Sequence, residues 1–269
     1  MDGLLIDSED LYTICTNTVL HEYGKPDLPW HIKAQLQGRP GPEAGKIFEQ
    51  WAQLPVARDV YMQRVQEMQK QLFPSCKPLS GVEKLLQTLS KRTDVEMALA
   101  TSSHAGNYKL KTENLTNMFS VFPEENKVLG DDTRISPGRG KPAPDIYLLA
   151  LKTINERLIR EGKDVVTPAE CLVFEDSVPG VESGRRAGMQ VVWCPHPGLL
   201  EEMKGKEDKI LAGLMGEHKE LEEKNEHMGV FQSDGHGRKK GAPGEIRDGW
   251  GRLFHTLEDF PYQAYKINV

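Results

Sequence analysis

Four short stretches carry residue types that could handle a phosphoryl group, and they follow one another along 269 residues. The chain opens Met1-Asp2-Gly3-Leu4-Leu5-Ile6-Asp7-Ser8-Glu9, which reads as the second half of an acidic phosphoryl-transfer loop. Gly3 permits a sharp turn, and Asp2 stands just before it, where a strand would end. Met97-Ala98-Leu99-Ala100-Thr101-Ser102-Ser103 is an apolar run ending in three hydroxyls. Gly140-Lys141-Pro142-Ala143-Pro144-Asp145 sets a lysine just ahead of a helix start. Leu172-Val173-Phe174-Glu175-Asp176-Ser177 is an apolar run ending in two carboxylates. Hydrolysis of a phosphate monoester needs charge neutralisation, in-line positioning and an activated nucleophile. A magnesium ion takes hard oxygen ligands in near-octahedral geometry, so carboxylates, hydroxyls and a lysine are suitable side chains.

Each stretch also has a plainer use. Asp7 and Ser8 can cap the helix that follows the opening loop, and Thr101 with Ser102 can cap another. Lys141 can be a surface lysine at a helix start. Glu175 and Asp176 can close a strand in a turn.

The intervening elements decide whether these stretches can meet. Leu11, Ile14, Cys15 and Val19 give the first helix one apolar face. Gly24 to Pro29 is a break, and Ile32 to Leu36 is a short helix. Gly38-Arg39-Pro40-Gly41-Pro42 forms a rigid turn. Ala44, Ile47, Phe48 and Trp51 mark a helix that Pro55 ends, and Tyr61, Val65, Met68 and Leu72 mark another. Residues 16–78 therefore read as a small helical bundle. From Leu79 the pattern changes. Val82, Leu85, Leu86 and Leu89 predict a helix, Val95 to Ala100 a buried strand, and Tyr108 to Leu115 a helix. Phe119 to Phe122 and Lys127 to Gly130 are short strand candidates. Asp145 to Leu158 predicts a helix, Cys171 to Phe174 a strand, Val178 to Ala187 a helix with Gly188 as its cap, and Gln190 to Cys194 a strand. Strands alternating with helices imply a doubly wound α/β sheet. Ligands of such sheets bind outside the carboxyl ends of the strands, where Thr101, Glu175 and Asp176 would share one crevice. Residues 199–244 read as a charged surface helix and a flexible, Gly-rich loop. In 245–269, Trp250, Leu253, Phe254 and Leu257 predict a C-terminal helix docked on the core.

Hydrophobic content of 38% and charged content of 28% fit a soluble globular protein. A net charge of −6 argues against a nucleic-acid-binding face, which needs clustered Lys and Arg. Arg238-Lys239-Lys240 is a short basic run in a Gly-rich loop. Cys15, Cys76, Cys171 and Cys194 lie far apart, with no Cys-x-x-Cys spacing. Isolated thiols and no evident signal peptide predict a cytoplasmic setting. No apolar run reaches the roughly 18 residues of a membrane span.

Taken in order, the four stretches resemble the four motifs of the haloacid-dehalogenase-like phosphatases. The likeness covers residues 1–195 and is nearest the branch containing β-phosphoglucomutase and pseudouridine-5′-phosphatase. It implies a Rossmann-like core from 1–15 and 79–198, and a helical cap over 16–78. It also implies a Mg2+ ion held by Asp2 (through its backbone carbonyl), Glu175 and Asp176. Thr101, the Ser102 N–H and Lys141 would bind the phosphate, and Lys141 would also hold the carboxylates together. Asp2 would serve as general acid and then base, a role that burial suits by raising its pKa. An acid at Asp2 favours phosphoryl transfer over dehalogenation. Gly38 and Arg39 fall in the cap loop facing the crevice, where Arg39 binds a substrate anion or merely solvates the loop. The implied substrate is a small phosphorylated metabolite, a nucleotide or sugar phosphate such as pseudouridine 5′-phosphate. Phosphatase is favoured over phosphomutase.

One departure stands out. The family's first motif is Asp-x-Asp-Gly after an apolar strand, and its first Asp is the nucleophile. Met1 occupies the x position, so the nucleophile and the central strand carrying it fall ahead of Met1. The expected consequences are a gap between the strands preceding Thr101 and Glu175, and near-inactivity of the chain as written. The alternative is a non-catalytic relative that binds a phosphometabolite or a partner.

Overall fold

A computed structural model describes residues 1–39, 41–216 and 241–268. Helix α1 (Ser8–Glu22) runs without interruption from the opening loop, so the expected boundary near residue 15 falls inside one helix. Helices α2 (Trp30–Leu36), α3 (Gly41–Ala52) and α4 (Arg58–Leu72) follow it in a helical bundle. Cys15, Val19, Phe48, Tyr61, Val65 and Phe73 form its own apolar core. Phe48 stacks on Tyr61 at 4.8 Å. Ile14, expected on the same face as Cys15 and Val19, is instead 49% exposed.

The core alternates as the sequence predicts. Its elements are α5 (Val82–Ser90), β1 (Leu99–Ala100), α6 (Ala105–Thr112), α7 (Thr116–Phe119), β2 (Lys127–Val128), α8 (Asp145–Arg160), β3 (Leu172–Glu175), α9 (Val178–Arg186), β4 (Gln190–Trp193), α10 (Pro197–Glu202), α11 (Glu207–Ala212) and β5 (Gly251–Leu253). All strand pairs are parallel. Two apolar layers enclose the strands. One is built on α5 with Leu99, Phe119 and Phe260. The other joins α8, α9 and α10 through Ile146, Val181 and Leu199. Val82, Leu85, Leu86 and Leu89 of α5 are all buried, as their spacing requires.

The strands divide into two sheets, β2-β1 and β3-β4-β5. Among the described residues none bridges β1 to β3. A cavity of about 580 Å³ is lined by both, by Leu99 and Ala100 on one side and Leu172 to Phe174 on the other, with Met1 also on its wall. The division lies between the strands preceding Thr101 and Glu175, where the sequence places a gap.

Three expectations are corrected. Phe119 to Phe122 is not a strand: Phe119 ends α7 and Phe122 follows one turn later, their rings 6.3 Å apart. Residues 245–269 do not form a docking helix. Gly251–Leu253 joins the sheet beside β4, and a 3-10 turn at Tyr262–Tyr265 follows. The helix-like spacing misleads because Leu253 and Phe254 serve opposite faces of the sheet. Bonds from Val191 N to Trp250 O (2.8 Å) and from Phe254 N to Trp193 O (2.8 Å) fix the register. Of the charged segment 199–244, residues up to 216 form the end of α10, α11 and a turn, with Leu199 and Ile210 buried in the core. Residues 217–240, including Arg238-Lys239-Lys240 and most of the expected loop, lie outside the described residues.

Candidate active site

The opening loop is shaped by Gly3 at φ +62°. A Cβ there would lie 2.5 Å from Asp176 Oδ2 and 2.6 Å from Glu9 Cγ, so glycine alone lets the loop approach the carboxylate. Asp7 precedes α1 as expected, but its side chain accepts from Lys77 N (2.7 Å) rather than from the helix. Ser8 donates its Oγ proton to Asp2 Oδ1 at 2.6 Å.

Lys111, from α6, reaches the same Asp2 oxygen at 2.5 Å. Its ammonium also donates to Ser103 Oγ (2.7 Å) and Tyr12 OH (3.2 Å), and the residue is buried. Burial pushes the Asp2 carboxyl up. The Lys111 charge, the Met1 ammonium and the bonds from Lys111 and Ser8 oppose it, and the net result is a carboxyl below the usual range. The expectation that burial raises this pKa is therefore corrected: a second buried charge outweighs desolvation.

Thr101 is buried at the end of β1, its N–H donating to Val128 O (3.0 Å) and its Oγ1 accepting from Ser103 N (3.1 Å). It does not cap α6. That cap is His104, and Asp131 Oδ1 accepts from Ala105 N at 3.0 Å. Ser102 is half-buried on the same turn. Gly130 packs against it so closely that a Cβ would sit 2.1 Å from Ser102 O.

Lys141 is not a surface lysine. It is buried, with Nζ 2.5 Å from Glu175 Oε1 and 3.5 Å from Ala100 O. Glu175 also accepts from Tyr147 OH and from Ser177 Oγ (3.1 Å). Burial raises its pKa, but Lys141 and these donors bring it below the usual range. Ser177 caps α9, its Oγ accepting from Gly180 N at 3.2 Å with Pro179 in the first turn.

Asp176 differs. Its Oδ2 accepts from Gln37 Nε2 at 2.6 Å. Burial, then the charges of Glu175 and Glu9, push its pKa well above the carboxylate range, against the smaller opposing effects of the Met1 ammonium and the Gln37 bond. No lysine or arginine pairs with it among the described residues. A buried carboxylate beside other carboxylates, with an amide as its partner, is electrostatically under-compensated, and a hard cation fits it. Magnesium keeps several waters and needs only one or two carboxylates. Among the described residues no three Asp, Glu, His or Cys side chains converge on a point. The side chain of Asp2 faces Lys111, and that of Glu175 faces Lys141, so Asp176 stands apart from the other two predicted ligands.

The predicted residues close into a ring. Thr101 contacts Ser103, Ser103 contacts Lys111, and Lys111 contacts Asp2. Gly3 abuts Asp176, which precedes Ser177 beside Glu175, and Lys141 joins Glu175 back to Ala100. Gly38 lies at this ring with φ +76°, where a Cβ would be 2.3 Å from Ser177 Oγ. Arg39 turns back along its own helix, donating Nε to Gln35 O at 2.6 Å.

Lys111, Gln37 and Tyr147 are the members that sequence motifs did not single out, while Ser8, read as a helix cap, and Ser103, read as the last of three hydroxyls, take partners at this site. A signal existed for two of them. Lys111 lies on the inward stripe Tyr108, Lys111, Thr112, Leu115, and Gln37 continues the stripe Trp30, Lys33, Ala34. A polar residue on such a stripe needs a buried partner.

Residues 1–194 match the haloacid dehalogenase-like hydrolase family, and the chain belongs to it. It is 43% identical to a Saccharomyces cerevisiae protein named "Probable pseudouridine-5'-phosphatase", over 79% of this chain and 87% of that one. A Drosophila melanogaster protein carrying the same name is 37% identical, over 80% and 87%. The crystal structure of CbbY from Rhodobacter sphaeroides in complex with phosphate shares the fold, with a TM-score of 0.57. It is 21% identical and spans 74% of this chain and 84% of that one.

Proposed function

We infer that this protein is a magnesium-dependent phosphatase of a small phosphate monoester, a nucleotide or sugar phosphate, with pseudouridine 5′-phosphate as a candidate. The observation that carries this is the ring of Asp2, Thr101, Lys141, Glu175 and Asp176 at the ends of β1 and β3. Lys141 and Thr101 would hold the phosphoryl oxygens. Asp176, with the backbone carbonyl of Asp2, would hold the magnesium ion. Bound there, the ion would neutralise phosphoryl charge. Asp2, kept ionised by Lys111, is suited to accept a proton. Donating one to the leaving oxygen requires Lys111 to shift its bond to another acceptor, and a bound phosphate supplies one. Glu175 acts through Lys141, fixing its ammonium. The four cysteines are free thiols, which suits a reducing compartment such as the cytoplasm. Among the described residues no helix is long and apolar enough to cross a membrane.

The family's nucleophilic Asp would stand immediately before Met1, a residue that lines the cavity between β1 and β3. The test is magnesium-dependent phosphate release from a panel of nucleotide and sugar phosphates. A chain starting at Met1 should release little. One preceded by an apolar strand ending in Asp should turn over, with a gain on the order of 10⁴ or more, the scale of removing a nucleophile. Asp176→Ala should abolish that turnover. Release by the shorter chain that disappears in Asp176→Ala would contradict the placing of the nucleophile. An inactive longer chain would contradict the function.

A further inference from the structure

Gln37 ends the last turn of α2 and is buried. Its Nε2 donates to Asp176 Oδ2 at 2.6 Å, while its Oε1 is out of solvent with no hydrogen-bond partner. Leaving a buried carbonyl unpaired costs about 1–3 kcal/mol. With Nε2 toward Asp176 the amide donates to an ionised carboxylate.

The rest of α2 is anchored to the core. Lys33 Nζ donates to Glu9 O (3.0 Å) and Thr13 Oγ1 (2.6 Å). The Trp30 ring stacks on His196 at 4.7 Å, and Gly198 leaves no room for a Cβ against it. Gly38 then rests on Ser177, next to Asp176. These contacts tie α2 to α1, to the turn after β4 and to the end of β3, and Gln37 alone of them donates to a carboxylate that no lysine or arginine pairs with among the described residues.

We propose that Gln37 is a positioning residue that couples closure of the cap helix to cation binding at Asp176. Its amide holds one carboxylate oxygen and orients the group, so that the other oxygen is presented to the ion. The assignment rests on Asp176 being the cation's carboxylate, as inferred above. Such coupling is reciprocal: a closed cap raises affinity for the ion, and the ion holds the cap closed.

The test uses the full chain and magnesium alone. Calorimetry should show binding to the wild type and about 10–100-fold weaker binding to Gln37→Met, the usual loss when an outer-shell partner of a ligand is removed. Met is close to Gln in size and removes only the amide, and a thermal melt checks that the variant folds. Hydrogen exchange supplies a reading that needs no variant. Magnesium should slow exchange of the α2 amides in the wild type and leave them unchanged in Gln37→Met. Wild-type affinity in a folded Gln37→Met, or α2 exchange indifferent to magnesium in a wild type that binds it, overturns the coupling and leaves Asp176 standing. A wild type that binds no magnesium overturns Asp176's assignment and the coupling with it.

Discussion

Glu175 and Asp176 are neighbours in sequence and both buried, yet they live in opposite electrostatic settings. Glu175 is clamped by Lys141, Tyr147 and Ser177, and its pKa falls. Asp176 has the Gln37 amide and two adjacent carboxylates, and its pKa climbs. Asp2 resembles Glu175, with Lys111 in place of Lys141. Burial is common to all three. What separates them is whether a lysine follows the carboxylate into the core. Two of the carboxylates each pair with a buried lysine, and the third pairs with none among the described residues.

The largest effects should come from removing the lysines. Lys111→Met leaves Asp2 without its cation, and Lys141→Met does the same to Glu175. Breaking a buried pair from one side costs about 3–5 kcal/mol, so each variant should lose that much in denaturant unfolding. Losses under about 1 kcal/mol would mean that these pairs are no better than surface ones. Conversely, Asp176→Asn should stabilise the magnesium-free protein, since it removes an uncompensated charge and keeps an acceptor for Gln37.

The gain should depend on pH in a set direction. The folded-state pKa of Asp176 is raised above its unfolded value of about 3.9. The folded state therefore binds the proton more tightly, and stability is lost as pH rises from the unfolded pKa through the folded one. Melts of the wild type and Asp176→Asn should nearly coincide near pH 3, then diverge in favour of Asn as pH rises. Asp2 has the opposite sign. Its depressed pKa contributes stability above about 3.9 that disappears as pH falls through the folded value. A carboxyl NMR titration should show Asp2 below the ordinary range in the wild type and above it in Lys111→Met. Unchanged Asp2 titration would remove Lys111 from the account.

Sequence alone disclosed the α/β fold and the strands that end at Ala100 and Glu175, because apolar runs ending in hydroxyls or carboxylates are local patterns. The partners of those residues were not local. Lys111 is 109 positions from Asp2, and Gln37 is 139 from Asp176. Nothing in a linear stretch reports which lysine a buried carboxylate will find, and hence the direction predicted for Asp2 was wrong. The C-terminal segment failed for a related reason. Leu253 and Phe254 face different cores, and their spacing imitates a helix unless β4 is known to offer an open edge. The division between β1 and β3 was legible through the family resemblance, which puts the strand of the first motif between them.

The most direct measurement is anomalous diffraction from crystals of the protein grown with manganese and tungstate, as stand-ins for magnesium and phosphate. A manganese peak within bonding distance of Asp176, with tungsten between Thr101 and Lys141, is the predicted result. Manganese bound at Glu175 or elsewhere, with the Asp176 carboxylate still on Gln37 alone, would contradict the division between anchoring and cation-binding carboxylates.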